Sequence, residues 1–158
     1  MPKISRKRVI RAPVEDVWAV VSDPYHMPRW WPRTTRVEAV NKVKGGGRRT
    51  QWTSVLETRS GRGVRADYRV LSSATGDRFV FEQQLEDTPF EKVLRSSVTE
   101  IGLTPRDGET EVRITSRQRL RGLSRLGSPM MGRAQRQILT GALDALEEAL
   151  TAPEEAPQ

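Results

Sequence analysis

The hydrophobic and polar positions of this chain change period along its length, dividing it into a short strand, a helical segment, a long strand-rich stretch and a final helix. From Ile4 to Ile10 the residues alternate, with Ile4, Arg6, Arg8 and Ile10 on one face and Ser5, Lys7 and Val9 on the other, which predicts a strand. Pro13 then suits a first helical turn, where a missing N–H costs nothing, and Glu15 and Asp16 favour the positive end of the helix dipole. Val14, Val17, Trp18 and Val21 recur at helical spacing and predict one buried face. Asp23-Pro24 stops this helix, and a second short helix is predicted from Tyr25 to Trp31, ending at Pro32.

From Thr34 onward the period becomes two. Turn signals stand at Gly45-Gly46-Gly47, Ser60 to Gly63, Ala74 to Asp77, Asp87 to Pro89 and Pro105 to Gly108, the spacing of successive antiparallel hairpins. The segments between them predict strands at Arg36–Val43, Arg48–Thr58, Val64–Ser72, Arg78–Glu86, Lys92–Leu103 and Thr110–Leu120. Ser128-Pro129 reads as an N-cap followed by proline at the first helical position, opening a helix that runs to Leu150. Met131, Ala134, Ile138, Ala142, Ala145 and Ala149 form one stripe on it, with Leu139, Leu143, Leu146 and Leu150 beside it. Gly132 and Gly141 interrupt this helix at up to about 1 kcal/mol each relative to alanine, so a close approach to the sheet or an empty space should lie beside them.

Strand parity predicts the inward positions. They are Thr50, Trp52, Ser54 and Leu56; Val64, Ala66, Tyr68 and Val70; Phe79, Phe81, Gln83 and Leu85; Val93, Arg95, Ser97, Thr99 and Ile101; and Val112, Ile114, Ser116, Gln118 and Leu120. Several of these are polar, more than a close-packed core tolerates without partners. Either they line a ligand cavity, or they sit at strand ends and bond to solvent or to each other; their number favours the cavity.

Within that set Trp52 offers large area and one donor, and Arg95 is the sharpest polar candidate. A guanidinium facing an apolar interior needs a carboxylate, a carbonyl or a ligand oxygen, and the alternative is an ion pair with Glu82, Glu86 or Glu100. Adjacent helical residues point about 100 degrees apart, so one of Trp30 and Trp31 is expected to plug the short helices onto the sheet while the other shapes an entrance. His26 is expected at the surface near that entrance.

Composition narrows the chemistry. With 158 residues, no cysteine and one histidine, the chain is the size of one domain and holds no disulfide, thiol nucleophile or histidine-rich metal site. No metal and no cofactor are expected. There is no secretory signal and no apolar run of about 18 residues to span a bilayer, and the expected location is the cytoplasm. The net charge of +7 comes mostly from arginines spread along the whole chain, which points to arginine-rich coding rather than to a nucleic-acid partner. Residues 1–150 are expected to form one domain, and the acidic, proline-containing tail of residues 151–158 to be disordered.

The order of elements, together with the strand ending in Ile10, the APVEDVW turn, Trp30-Trp31-Pro32 and the final GSPMMGRAQRQILTGALDALEEAL segment, resembles the START/Bet v 1-like (SRPBCC) superfamily, and within it the polyketide cyclase/dehydrase and lipid-transport group. The resemblance spans residues 3–150 and implies an α+β helix-grip fold, a curved seven-stranded antiparallel sheet (β-α-α-β6-α) around the long last helix. It also implies an internal cavity for a hydrophobic small molecule such as a lipid, an isoprenoid or a polyketide, in a monomer or homodimer. The expected ligand-binding residues are Trp30, Trp31, Trp52, Tyr68, Phe79, Phe81, Gln83, Arg95, Ser97, Ser116, Gln118, Met131 and Ile138. The runner-up function is a polyketide aromatase/cyclase without metal or nucleotide, in which Arg95 would hold a substrate oxygen, Tyr68 donate a proton, and Gln83 or Ser97 orient the chain. A third reading is a basic RNA- or ribosome-associated module using Arg113, Arg117, Arg119, Arg121 and Arg125.

Overall fold

A computed structural model describes residues 3–41, 50–58, 60–122 and 128–151, apart from the side chain of Ser128. The predicted glycine turn at 45–47 and its flanking residues, Arg125, the capping role of Ser128 and the tail beyond Thr151 lie outside the described residues. The chain runs through β1 (Lys3–Ile10), α1 (Val14–Val21), a 3-10 turn (Pro24–His26) and α2 (Met27–Trp30). Six further strands follow: β2 (Thr34–Asn41), β3 (Gln51–Glu57), β4 (Gly63–Ala74), β5 (Arg78–Gln84), β6 (Leu94–Arg106) and β7 (Glu109–Leu120). A second 3-10 turn (Pro89–Lys92) precedes β6, and α3 (Ser128–Thr151) ends the fold. The seven strands make one sheet in the order β1-β7-β6-β5-β4-β3-β2, with every neighbouring pair antiparallel. This is the helix-grip architecture that the order of elements predicts.

Local chemistry sets the turns. Pro13 stands just before α1, in extended conformation, and its carbonyl accepts the N–H groups of Asp16 (3.0 Å) and Val17 (3.2 Å). It is therefore a cap and not part of the first turn as expected. The buried Thr110 hydroxyl donates to the Ala12 carbonyl at 2.8 Å, tying the turn into α1 to the start of β7. The predicted second helix is two pieces, because the Asp23 carboxylate accepts the Tyr25 N–H at 3.1 Å and first winds a 3-10 turn. Trp31 is already extended, which sends the chain into β2.

Three strands carry irregularities that bend the sheet. Register shifts fall twice in β2, in β4 between Val70 and Ser72, and in β6 between Leu94 and Ser96. The last one corrects the parity expectation. Leu94 pairs with Leu120 while Ser96 pairs with Arg119, so Arg95 is the extra residue; Leu94 faces inward and Arg95 and Val93 are exposed. From Ser97 onward the predicted parity holds, with Ser97, Thr99 and Ile101 buried.

The core forms two clusters. The larger joins Ile10, Val17, Trp30, Trp52, Phe79, Ile101, Ile114, Leu139, Leu143 and Leu146, all nearly inaccessible. The smaller joins Leu85, Leu94 and Leu120, with Phe90 and Met131 packed against it. Along α3 the deepest positions are Leu139, Ala142, Leu143 and Leu146, whereas Ala134, expected on the buried stripe, is set apart from that core. Arg8 of β1 pairs with Asp144 of α3 across the flank of this packing.

A methyl group at Gly132 would lie 3.6 Å from Ile4 Cδ1, and one at Gly141 would lie 3.4 Å from Pro32 Cγ. Both glycines thus approach neighbours, but Gly132 leaves room for a methyl group at ordinary contact distance. Gly132→Ala should therefore raise stability by roughly 0.5–1 kcal/mol through helix propensity, read as an increase in the denaturant midpoint; a fall of that size would mean the β1–α3 contact tolerates no added atom.

Candidate functional site

A cavity of about 530 Å³ lies between the concave face of the sheet and the first half of α3. It separates the two apolar clusters. On one side stand Trp31, Tyr68 and Phe81 at the edge of the main core; on the other stand Phe90, Leu94 and Met131 of the smaller cluster. α3 contributes Met131, Gln135 and Ile138, spaced one and two turns apart on a single face. The exposed members of the lining, Arg33, Glu57, Pro89 and Val93, form the rim between the end of α2, β3 and the 3-10 turn before β6.

The wall toward the main core is aromatic. Trp30 meets Trp31 edge-on at 5.3 Å, Trp31 meets Phe81 at 6.2 Å, and Phe81 contacts Trp52 (5.2 Å) and Tyr68 (5.6 Å). Trp52 stacks on Tyr68 at 5.4 Å and on Phe79 at 6.5 Å, and Trp18 closes the series edge-on to Phe79. Such pairs add about 0.5–1.5 kcal/mol each beyond area burial, so this wall is rigid and holds its lining rings in place.

The polar lining is a ladder across the strands. Tyr68 of β4 stands opposite Gln83 of β5, Ser97 of β6 opposite Gln118 of β7, and Thr99 opposite Ser116. Gln118 Nε2 donates to Ser97 Oγ at 3.4 Å. Gln83 Nε2 is buried and has no partner, and the Tyr68 hydroxyl makes no hydrogen bond among the described residues. Burial pushes the Tyr68 phenol up to about 12. Although its ring borders the cavity, burial removes it from bulk water, and the phenolate would lack solvation there.

Nine of the thirteen residues expected to bind a ligand border this cavity: Trp31, Tyr68, Phe81, Gln83, Ser97, Ser116, Gln118, Met131 and Ile138. Four do not. Trp30 is 1% exposed in the main core, where it plugs α2 onto the sheet while Trp31 shapes the cavity. Trp52 and Phe79 lie behind the lining rings in the aromatic stack. Arg95 points to solvent because of the extra residue in β6, and two of the carboxylates considered for it, Glu82 and Glu100, pair instead with Arg69 and Arg78. Gln135 and Arg33 are among the lining residues that sequence reasoning missed. Gln135 was within reach of it, four residues after Met131 and three before Ile138; Arg33 follows a helix that parity does not govern.

His26 sits outside the lining, half-exposed, with Nδ1 3.1 Å from Arg29 and Nε2 3.8 Å from the Asp23 carboxylate. Among the described residues no cluster of three potential metal ligands occurs, and no helix is long and apolar enough to cross a membrane. Arg113, Arg117 and Arg119 lie exposed on the outer face of β7, away from the cavity.

Residues 1–151 match the family described as polyketide cyclase/dehydrase and lipid transport. No protein of curated function matches the chain. Among solved structures, a START superfamily protein of Mycobacterium smegmatis superposes with a TM-score of 0.76 at 17% identity, covering 94% of this chain and 96% of that one. A protein of Thermus thermophilus gives 0.76 at 19% identity, covering 98% and 100%. The di-domain ARO/CYC protein BexL of the BE-7585A biosynthetic pathway gives 0.77 at 21% identity, covering 98% of this chain and 48% of that one. At these identities the likeness is one of fold.

The raised phenol generates a test. Its ordinary value is 10.0 and its folded value about 12, so the folded state holds this proton more tightly. Its contribution to stability is complete below pH 10 and disappears as pH rises through 12. An ultraviolet titration of the two tyrosines should show one of them ionising near pH 12. Tyr68→Phe should remove that late component; if the late component survives the substitution, the assignment to Tyr68 is wrong.

Proposed function

We propose, because this chain belongs to the polyketide cyclase/dehydrase and lipid transport family, that it binds a hydrophobic small molecule in the cavity between the sheet and α3. The observation that carries this reading is the cavity itself, about 530 Å³ of apolar-walled space with a few neutral polar groups along one ladder. That size and character suit a lipid, isoprenoid or polyketide-like ligand. A ligand burying about 300 Å² of apolar surface would gain about 7 kcal/mol from desolvation before the cost of immobilisation. Entry is assigned to the rim at Arg33 and Glu57, where the lining reaches the surface.

A second reading, a metal-free aromatase/cyclase, draws support from the family description and from the ARO/CYC structures of similar fold. Its chemistry must differ from the one expected from sequence. Arg95 lies outside the cavity and cannot stabilise an enolate, so any cyclisation would rest on the neutral donors Tyr68 and Gln83. With its phenol near 12, Tyr68 serves as a hydrogen-bond donor rather than as a proton source at neutral pH.

Displacement of the neutral dye Nile red, together with native mass spectrometry, tests the binding reading. Ile138→Trp places an indole into the cavity from α3 and should weaken dye binding at least about tenfold, a change of roughly 1.4 kcal/mol, while leaving the unfolding midpoint unchanged or raised. Dye affinity equal to that of the unaltered protein, or no dye binding by either, would overturn it. For the second reading, Tyr68→Phe should abolish turnover of a poly-β-ketone substrate; in a pure binder it shifts affinity alone.

A further inference from the structure

Among the described residues the lining of the cavity carries no charge below its rim. Its charged lining residues, Arg33 and Glu57, are both exposed at the opening, and every polar group deeper in is a hydroxyl or an amide. A carboxylate drawn inside would lose its hydration with no cation among those residues to meet it, whereas an uncharged oxygen would lose far less. The cavity thus discriminates by charge before shape is considered.

Within the ladder the Gln83 amide stands apart. Ser97 and Gln118 bond to each other, but the amide nitrogen of Gln83 is buried without a partner. Directly across from it, on the adjacent strand, is Tyr68, whose hydroxyl also lacks a partner among the described residues. Opposed residues of an antiparallel pair hold their Cβ atoms about 5 Å apart, so the two side chains stand side by side in the cavity wall, with the Gln83 nitrogen just beneath its surface. The stack on Trp52 and the edge contact with Phe81 hold the Tyr68 ring there. Buried donors are rarely left unpaired, and a carbonyl oxygen has two lone pairs to offer them.

We infer that Gln83 and Tyr68 form an acceptor site for one uncharged carbonyl oxygen, so that the ligand is an apolar ketone, ester or amide and not a free fatty acid. The inference rests on the binding reading above and narrows it. The raised phenol agrees with it, since a phenol that stays protonated remains a donor throughout the physiological range.

Three probes of one frame separate the possibilities: 2-acetylnaphthalene, 2-ethylnaphthalene and 2-naphthoate, with affinities measured by calorimetry on the full chain. The ketone should bind about tenfold more tightly than the hydrocarbon, the worth of a hydrogen bond to an otherwise unpaired buried donor, and the carboxylate should bind most weakly. Gln83→Leu should close the gap between ketone and hydrocarbon and at the same time raise the melting temperature of the ligand-free protein, because it removes an unpaired buried group of similar size. Tyr68→Phe should narrow the same gap with little effect on folding. Equal affinity for ketone and hydrocarbon, preference for the carboxylate, or a lower melting temperature in Gln83→Leu would each overturn the acceptor site while leaving the binding reading intact. Failure of all three probes to bind would overturn both.

Discussion

The structure depends on α3 being packed unevenly along its length. Leu139, Ala142, Leu143 and Leu146 share a core with Val17, Trp30 and Ile114, so the second half of the helix has no freedom to tilt. The first half carries Met131, Gln135 and Ile138 on its inward face and meets the sheet through Gly132 against Ile4 of β1 and through the smaller cluster around Leu94 and Leu120. Where the helix packs less closely over the bent sheet a gap remains, and that gap is the cavity. Larger apolar residues at those three α3 positions would fill it and leave an ordinary two-layer fold.

What keeps the gap from collapsing is the aromatic wall. Trp31, Phe81 and Tyr68 present their rings to the space, and each is braced from behind by Trp30, Trp52 or Phe79. The two tryptophans behind the wall have buried indole nitrogens without partners, a cost of about 1–3 kcal/mol each that the area buried in the stack offsets. The interior is therefore shaped by rings that have little room to shift, and its polar groups are fixed by strand register. Among the described residues charge is kept elsewhere. Arg69 and Arg78 pair with Glu82 and Glu100 on the outer face, and the bulge in β6 puts Arg95 in solvent.

Chains of the same fold differ from this one at about four positions in five, as identities of 17%, 19% and 21% imply. At that distance the architecture persists because alternation, turns and the long apolar helix can be written in many ways. The lining has no such tolerance in its chemistry, since one residue changed from neutral to charged alters which ligand can enter. For a member of this family the ligand is accordingly a property of the few side chains that line the cavity rather than of the fold.

Much of the molecule was legible in its residues. Alternation located all seven strands, helical spacing located α1 and α3, and the order of elements identified the architecture. The candidate site was legible wherever parity ran undisturbed, as at Tyr68 and Gln83 or Ser116 and Gln118. It was not legible where one inserted residue reset the alternation. No composition or periodicity marks the irregularity between Leu94 and Ser96, which depends on the pairing of β6 with β7, so Arg95 was assigned to the wrong face. Nor does parity distinguish the rings that touch the cavity, such as Phe81, from those one layer behind, such as Trp52 and Phe79, because depth depends on how α1, α2 and α3 pack over the sheet. The elements, their order and most of the inward faces follow from local sterics and from the period of burial, and the residues carry both. Where the helix parts from the sheet and which inward groups are left without a partner depend instead on contacts between residues distant in the chain, which exist only once it has folded.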